Sequence, residues 1–183
     1  MKRISRLLLF VSFSLVVAEG LIGPIYAIFV KNIGGDVLAA GTSFGLFSIA
    51  SGVFIFTFGR SRFFKERLRL MVFFGCLIAA IGITSYLFVS NPLELFITQI
   101  VIGIGVGILE PSWDGLFSAD LSEDKATTFW ATWAGGRDFL SGIAAIVGGV
   151  IVAAYSFEVL FIIMTVFSLA SVFIAGGILL EKK

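Results

Sequence analysis

The sequence predicts an all-α integral membrane protein with six transmembrane helices and both termini in the cytoplasm. Three observations lead there. The first is composition. Of 183 residues, 58% are hydrophobic and 14% charged, against roughly 25% charged in a soluble domain. Phe alone contributes 21 residues, more apolar surface than a soluble fold of this length can hide. The second is pattern. Unpaired amides are too costly in lipid, so a span is a helix or part of a closed barrel. A barrel strand would alternate polar and apolar residues over about ten positions. The runs here are continuously apolar, which selects helices. The third is the asymmetry of lysine and arginine, taken up below.

A helix needs about 20 apolar residues to cross the hydrocarbon. Six segments qualify: α1 at 7–30, α2 at 38–59, α3 at 68–89, α4 at 95–119, α5 at 126–153 and α6 at 157–180. Lys2, Arg3 and Arg6 before the run 7–18 resemble a signal peptide, with Val16-x-Ala18 as a cleavage site. The apolar run resumes after Glu19-Gly20 and reaches Val30, so a retained first helix is expected. Asn32-Ile33-Gly34-Gly35-Asp36 and Ser90-Asn91-Pro92 are turn clusters. Tyr155-Ser156 is the faintest break. The links leave room for no second domain, so 1–183 reads as a single six-helix unit.

With the N-terminus inside, every lysine and arginine apart from Lys31 and Arg137 falls on the cytoplasmic side. That bias fixes the orientation. The basic run from Arg60 to Arg69 between α2 and α3 also suits contact with anionic lipid.

Several classes are excluded. A net charge of +1 gives no nucleic-acid footprint. One cysteine, Cys76, and no histidine leave neither a disulfide within the chain nor a zinc site. No nucleophile–base pair offers covalent catalysis, and no G-x-x-x-x-G-K-[ST] loop is present to hold ATP. The expectation is a protein that is not an enzyme and needs no cofactor.

The spans nevertheless carry charge. Glu19 lies deep in α1, Glu110 and Asp114 in α4, and Arg137 and Asp138 in α5. A charge at mid-membrane costs about 2.5–3.5 kcal/mol on insertion scales, so it faces a partner or a wet cavity. Glu110 and Asp114, four apart, share one face of α4. Counting from the short link, Arg137 falls level with Glu110 or one turn away, and an Arg137–Glu110 pair is the expected contact, with Asp114 or Asp138 as substitutes. Two readings stand: a salt bridge that locks α4 to α5, or a solute or proton site. Four carboxylates facing one buried cation favour the second. Glu19, with no cation near it in sequence, is the leading proton carrier.

Small residues let membrane helices approach closely. Gly41-x-x-x-Gly45 and Gly103-x-x-x-Gly107 are such faces. Gly135, Gly136, Ser141, Gly142, Gly148 and Gly149 line α5. The clustering predicts that α4 and α5 pack together. Trp130, Trp133 and Arg137 recur at helical spacing, as a pocket wall or as interface anchors. Tyr26 and Gln99 are further polar tips for a pore-facing site. Pro24 and Pro111 interrupt the amide ladders of α1 and α4.

Three stretches carry a family resemblance across essentially the whole chain. Gly52, then Gly59-Arg60 and the basic run after it, resembles the loop between the second and third helices of the major facilitator superfamily, with Phe56 where that loop usually has Asp. Gln99-Ile-Val-Ile-Gly103, continuing through Gly105, Gly107 and Pro111 to Ala119-Asp120-Leu121, is similar to the family's fourth helix, with Gln99 where Arg is frequent. Gly142 and Ala145-Ile-Val-Gly148-Gly149 resemble its exporter pattern in the fifth helix, with Ala145 in place of Pro.

The resemblance implies one six-helix half of a twelve-helix secondary transporter whose halves point the same way in the membrane. It implies solute contact from α1 and α4, and a gating loop at Gly52, Gly59 and Arg60. A parallel homodimer in a prokaryotic inner membrane is the economical assembly, and a separately encoded second half is the alternative. The expected solute is small and of open class, and the surplus of carboxylates favours a cation or a proton-coupled neutral molecule. A non-transporting scaffold is the rival from another class. A channel would need a polar stripe that α2, α3 and α6 lack.

Overall fold

The computed structural model describes residues 3–119 and 123–181. Within them lie six helical spans long and apolar enough to cross a membrane. α1 runs Arg3–Asn32 in two pieces, Arg3–Ile22 and Tyr26–Asn32, joined by a 3₁₀ turn at Gly23–Ile25. Pro24 has no N–H to give the ladder, and the helix tightens there rather than ending. Gly34, at φ +82°, makes the turn that follows; only glycine takes that angle without cost. Asp36 then caps α2, Val37–Arg60, accepting the Ala39 N–H at 2.8 Å.

A single turn at Arg62–Lys65 leads to α3, Leu68–Phe88. α4 spans Pro92–Ser118 and stays helical through Pro111. Its start combines Pro92 in the first turn with Asn91 accepting the Glu94 N–H at 3.1 Å. α5 is Glu123–Ala154, and α6 is Phe157–Leu180, capped by Ser156. The break at Tyr155-Ser156 is therefore real. The turn at Asp120 and Leu121 and the terminal Lys2, Lys182 and Lys183 lie outside the described residues.

The helices pack as an arc of neighbours: α2 on α4, α4 on α3, α3 on α6, α6 on α1, and α1 on α5. Leu8, Val11, Leu15, Ala18 and Leu21 form the buried stripe of α1 at helical spacing. Leu160, Met164, Ala175 and Ile178 of α6 belong to the same buried core. Rings close both ends of the bundle. Phe29, Tyr86, Phe157 and Phe161 cluster at one end. Trp113, Phe117, Phe129, Trp130 and Trp133 cluster at the other. Arg3 lies 3.7 Å from Glu181, and Arg69 donates to the Glu181 carbonyl. Both described ends of the chain therefore sit on one side.

The expectation that α4 and α5 pack together is overturned. Among the described residues they meet only toward their linked ends, where Phe117 stacks on Phe129 with ring centroids 3.5 Å apart and Trp113 comes within 5.5 Å of Trp133. Beyond that they diverge, because the glycines of α4 are already filled. A Cβ on Gly103 would lie 2.5 Å from the Phe47 carbonyl oxygen of α2, and one on Gly107 2.6 Å from Phe54. Gly105, on the other side of the helix, has Ala79 of α3 against it. The glycines of α5 that are covered meet α1: Gly148 abuts the Leu21 carbonyl, and Gly136 the Phe13 ring. Gly41-x-x-x-Gly45, read as a packing face, has nothing within 4 Å at either glycine.

Candidate functional site

Divergence of α4 from α5 leaves a cleft that α1 backs. It holds a cavity of about 360 Å³ lined by Ser12, Leu15, Val16 and Glu19 of α1, Val106, Leu109, Glu110, Trp113 and Asp114 of α4, and Trp133 and Arg137 of α5. Glu110 and Asp114 share a face, as their spacing requires, and that face is the cavity wall. Two indoles are pinned by their ring nitrogens. Trp113 Nε1 donates to the Leu8 carbonyl at 2.9 Å, and Trp133 Nε1 donates to Ser12 Oγ at 3.1 Å. Trp130 stands edge-on to Trp133, 5.7 Å between centroids, outside the lining.

The expected Arg137–Glu110 pair does not form. Arg137 bonds its neighbour Asp138, Nε to Oδ1 at 3.0 Å, and its guanidinium sits 4.7 Å over the Trp133 ring. The physical reason is the gap itself: the helices part at this level, and Asp138 is within reach on the same helix. Glu19, Glu110 and Asp114 make no ion pair or hydrogen bond among the described residues. All three are exposed to the open space of the cleft despite their depth in the spans. A cavity that admits water is what lowers the cost of charge at that depth.

A second cavity, about 240 Å³, lies toward the Tyr86 end and is lined by Glu19, Tyr26, Phe44, Phe47, Tyr86, Gln99 and Met164 among others. Here Gln99 Nε2 donates to the hydroxyls of Tyr26 (2.9 Å) and Tyr86 (2.8 Å), and Tyr26 meets Ser43 Oγ at 2.6 Å. One network thus joins α1, α2, α3 and α4. A third cavity, about 310 Å³, places Glu19 beside Pro24, Arg137 and Asp138. Glu19 lines all three.

The structure therefore assembles Glu19, Glu110, Asp114, Trp133 and Arg137 around one cleft, with Asp138 at its side, and gathers Tyr26 and Gln99 around the next. It does not bring Gly52, Gly59 or Arg60 to any of these cavities. Gly59 is 3.8 Å from Pro111 by its added Cβ, and Arg60 lies over Phe56 at 5.8 Å. Sequence reasoning missed Ser12, Ser43 and Tyr86. A lone hydroxyl in an apolar helix usually bonds its own backbone, so nothing in their spacing singles them out. Among the described residues no group of three acidic or thiol side chains is placed to hold a metal.

Charged side chains thus surround a cleft inside six apolar helices. A profile of the Major Facilitator Superfamily matches residues 8–183. The chain belongs to that superfamily. No curated protein matches it. As a superfamily member it is a multi-pass membrane protein with a transporter fold rather than an enzyme.

Proposed function

We propose that this superfamily member moves a small solute across the membrane by alternating access, as a parallel homodimer of six-helix units. The observation that carries the reading is the cleft: three carboxylates without a bonded partner among the described residues, open to a cavity between α1, α4 and α5. Charge kept in a span without a structural bond has a role other than holding helices together. The solute binds between the two units and they rock about it. Glu19, common to all three cavities, is the proton-coupling group, with Glu110 and Asp114 as its relay.

Two uncovered small-residue faces support pairing with a second copy. A Cβ on Gly41, Gly45 or Gly52 of α2, or on Gly135, Gly142 or Gly149 of α5, would have no neighbour within 4 Å among the described residues. These helices are the two ends of the arc, flanking the cavities. A separate six-helix partner is the alternative assembly. Arg3, Arg60, Arg62, Lys65, Arg67 and Arg69 gather at one end of the bundle, which supports a cytoplasmic placement of the termini in a prokaryotic inner membrane, beside anionic lipid.

The test is solute-driven proton flux in liposomes containing the protein, compared with Glu19→Gln. Lost flux with unchanged elution from a sizing column supports transport. A variant that elutes as aggregate would assign Glu19 to structure, the scaffold reading.

A further inference from the structure

We infer that the cavity between Glu19 and Gln99 is a binding site for a protonated amine carrying an apolar or aromatic body. The inference names a ligand class for the transport reading above and rests on it only for what happens after binding.

The orientation of the Gln99 amide is set by its neighbours. Ser43 Oγ donates to the Ala40 carbonyl at 2.9 Å, which uses its only proton. The Tyr26 hydroxyl, 2.6 Å away, must then be the donor to Ser43. Having given its proton, Tyr26 accepts from Gln99, so the Gln99 nitrogen faces the tyrosines. Its oxygen, Oε1, is left over. Gln99 is buried to all but 8%, yet Oε1 has no bonded partner among the described residues and is not among the sealed-off buried atoms. It is therefore open to the cavity that Gln99 lines.

Glu19 lines the same cavity with a carboxylate that makes no bond among the described residues. Two acceptors and no free cation thus face one space. A ligand that fills it must bring N–H donors, and one beside a carboxylate gains most if it is charged. The remaining wall is apolar: Phe44, Phe47 and the ring of Tyr86. Aromatic faces attract both hydrocarbon and cation. The space of about 240 Å³ suits a small arylalkyl amine.

The experiment is calorimetric titration of the intact protein in lipid nanodiscs with three shape-matched probes: 2-phenylethylammonium, 2-phenylethanol and phenylacetate. The expected result is saturable binding of the amine, at least about tenfold weaker binding of the alcohol, as for loss of a charged hydrogen bond, and none of the anion. Glu19→Gln should weaken the amine by a similar factor, to about the affinity of the alcohol, and unchanged elution of the variant from a sizing column shows that it is folded. Equal binding of amine and alcohol, binding of the anion, or no amine binding would each overturn the site. Binding is read without flux. An amine that binds but is never carried refutes transport and keeps the site, and carriage of another solute without amine binding does the reverse.

Discussion

α4 and α5 are equally rich in glycine, and the structure uses them in opposite ways. α4 is inserted between α2 and α3, with half of its most apolar window buried; for α5 the share is 11%. In α4, Gly103 and Gly107 admit the backbone of α2, and Gly105 admits α3. In α5, Gly136 and Gly148 touch α1, while a Cβ on Gly135, Gly142 or Gly149 would meet nothing within 4 Å among the described residues. The lesson is that a glycine stripe in a membrane helix records where a neighbour can come close, without saying which neighbour or whether it belongs to the same chain.

The contrast is sharpest under enlargement. Gly103→Leu or Gly107→Leu should unfold the bundle, because the obstructing atoms include the Phe47 and Ser51 backbone. Overpacking costs about 1–3 kcal/mol where neighbours can shift, and more against backbone. Folded yield by fluorescence-detected size exclusion reads it, and a normal yield would break the comparison. Gly142→Leu with Gly149→Leu on α5 should leave the single unit folded and abolish pairing. If the units pair as proposed, native mass in lipid then falls from twice 19.7 kDa to that value. A double variant that still pairs would remove α5 from the interface.

Smaller effects separate the ends of these helices. Trp113→Phe keeps the ring stack with Phe117 and deletes the bond to the Leu8 carbonyl. It should lower thermal stability by about 1–2 kcal/mol, including the carbonyl left unpaired. Arg137→Gln should cost least, under about 1 kcal/mol, because its pair with Asp138 is exposed at 44% and 73%. A buried α4–α5 bridge would instead cost about 3–5 kcal/mol when broken. Thermal melting of the variant against the parent decides between these, and a large loss would restore the bridge that the structure lacks.

Much of the candidate site was legible because membrane sequences tolerate so little charge. Glu19, Glu110, Asp114 and Arg137 stood out against apolar runs, and the four-residue spacing placed two of them on one face. Their partners were not legible. Arg137 was level with Glu110 along the chain, but level says nothing about lateral distance, and a gap of one cavity separates them. Ser12, Ser43 and Tyr86 were hidden for a different reason: a hydroxyl's partner depends on which helix faces it, and that is a property of the whole bundle.

By itself the sequence determined the class, the six spans, their approximate ends and the residues that carry charge into the membrane. Those follow from the cost of burying polar groups in lipid, which acts residue by residue and can be read locally. Only the tertiary structure decided that α4 turns its glycines to α2 and α3, that α1 lies between α5 and α6, and that the cleft opens where α4 and α5 part. Between apolar helices in an apolar solvent, the choice of neighbour rests on shape and close packing, and shape exists only once all six helices are in place.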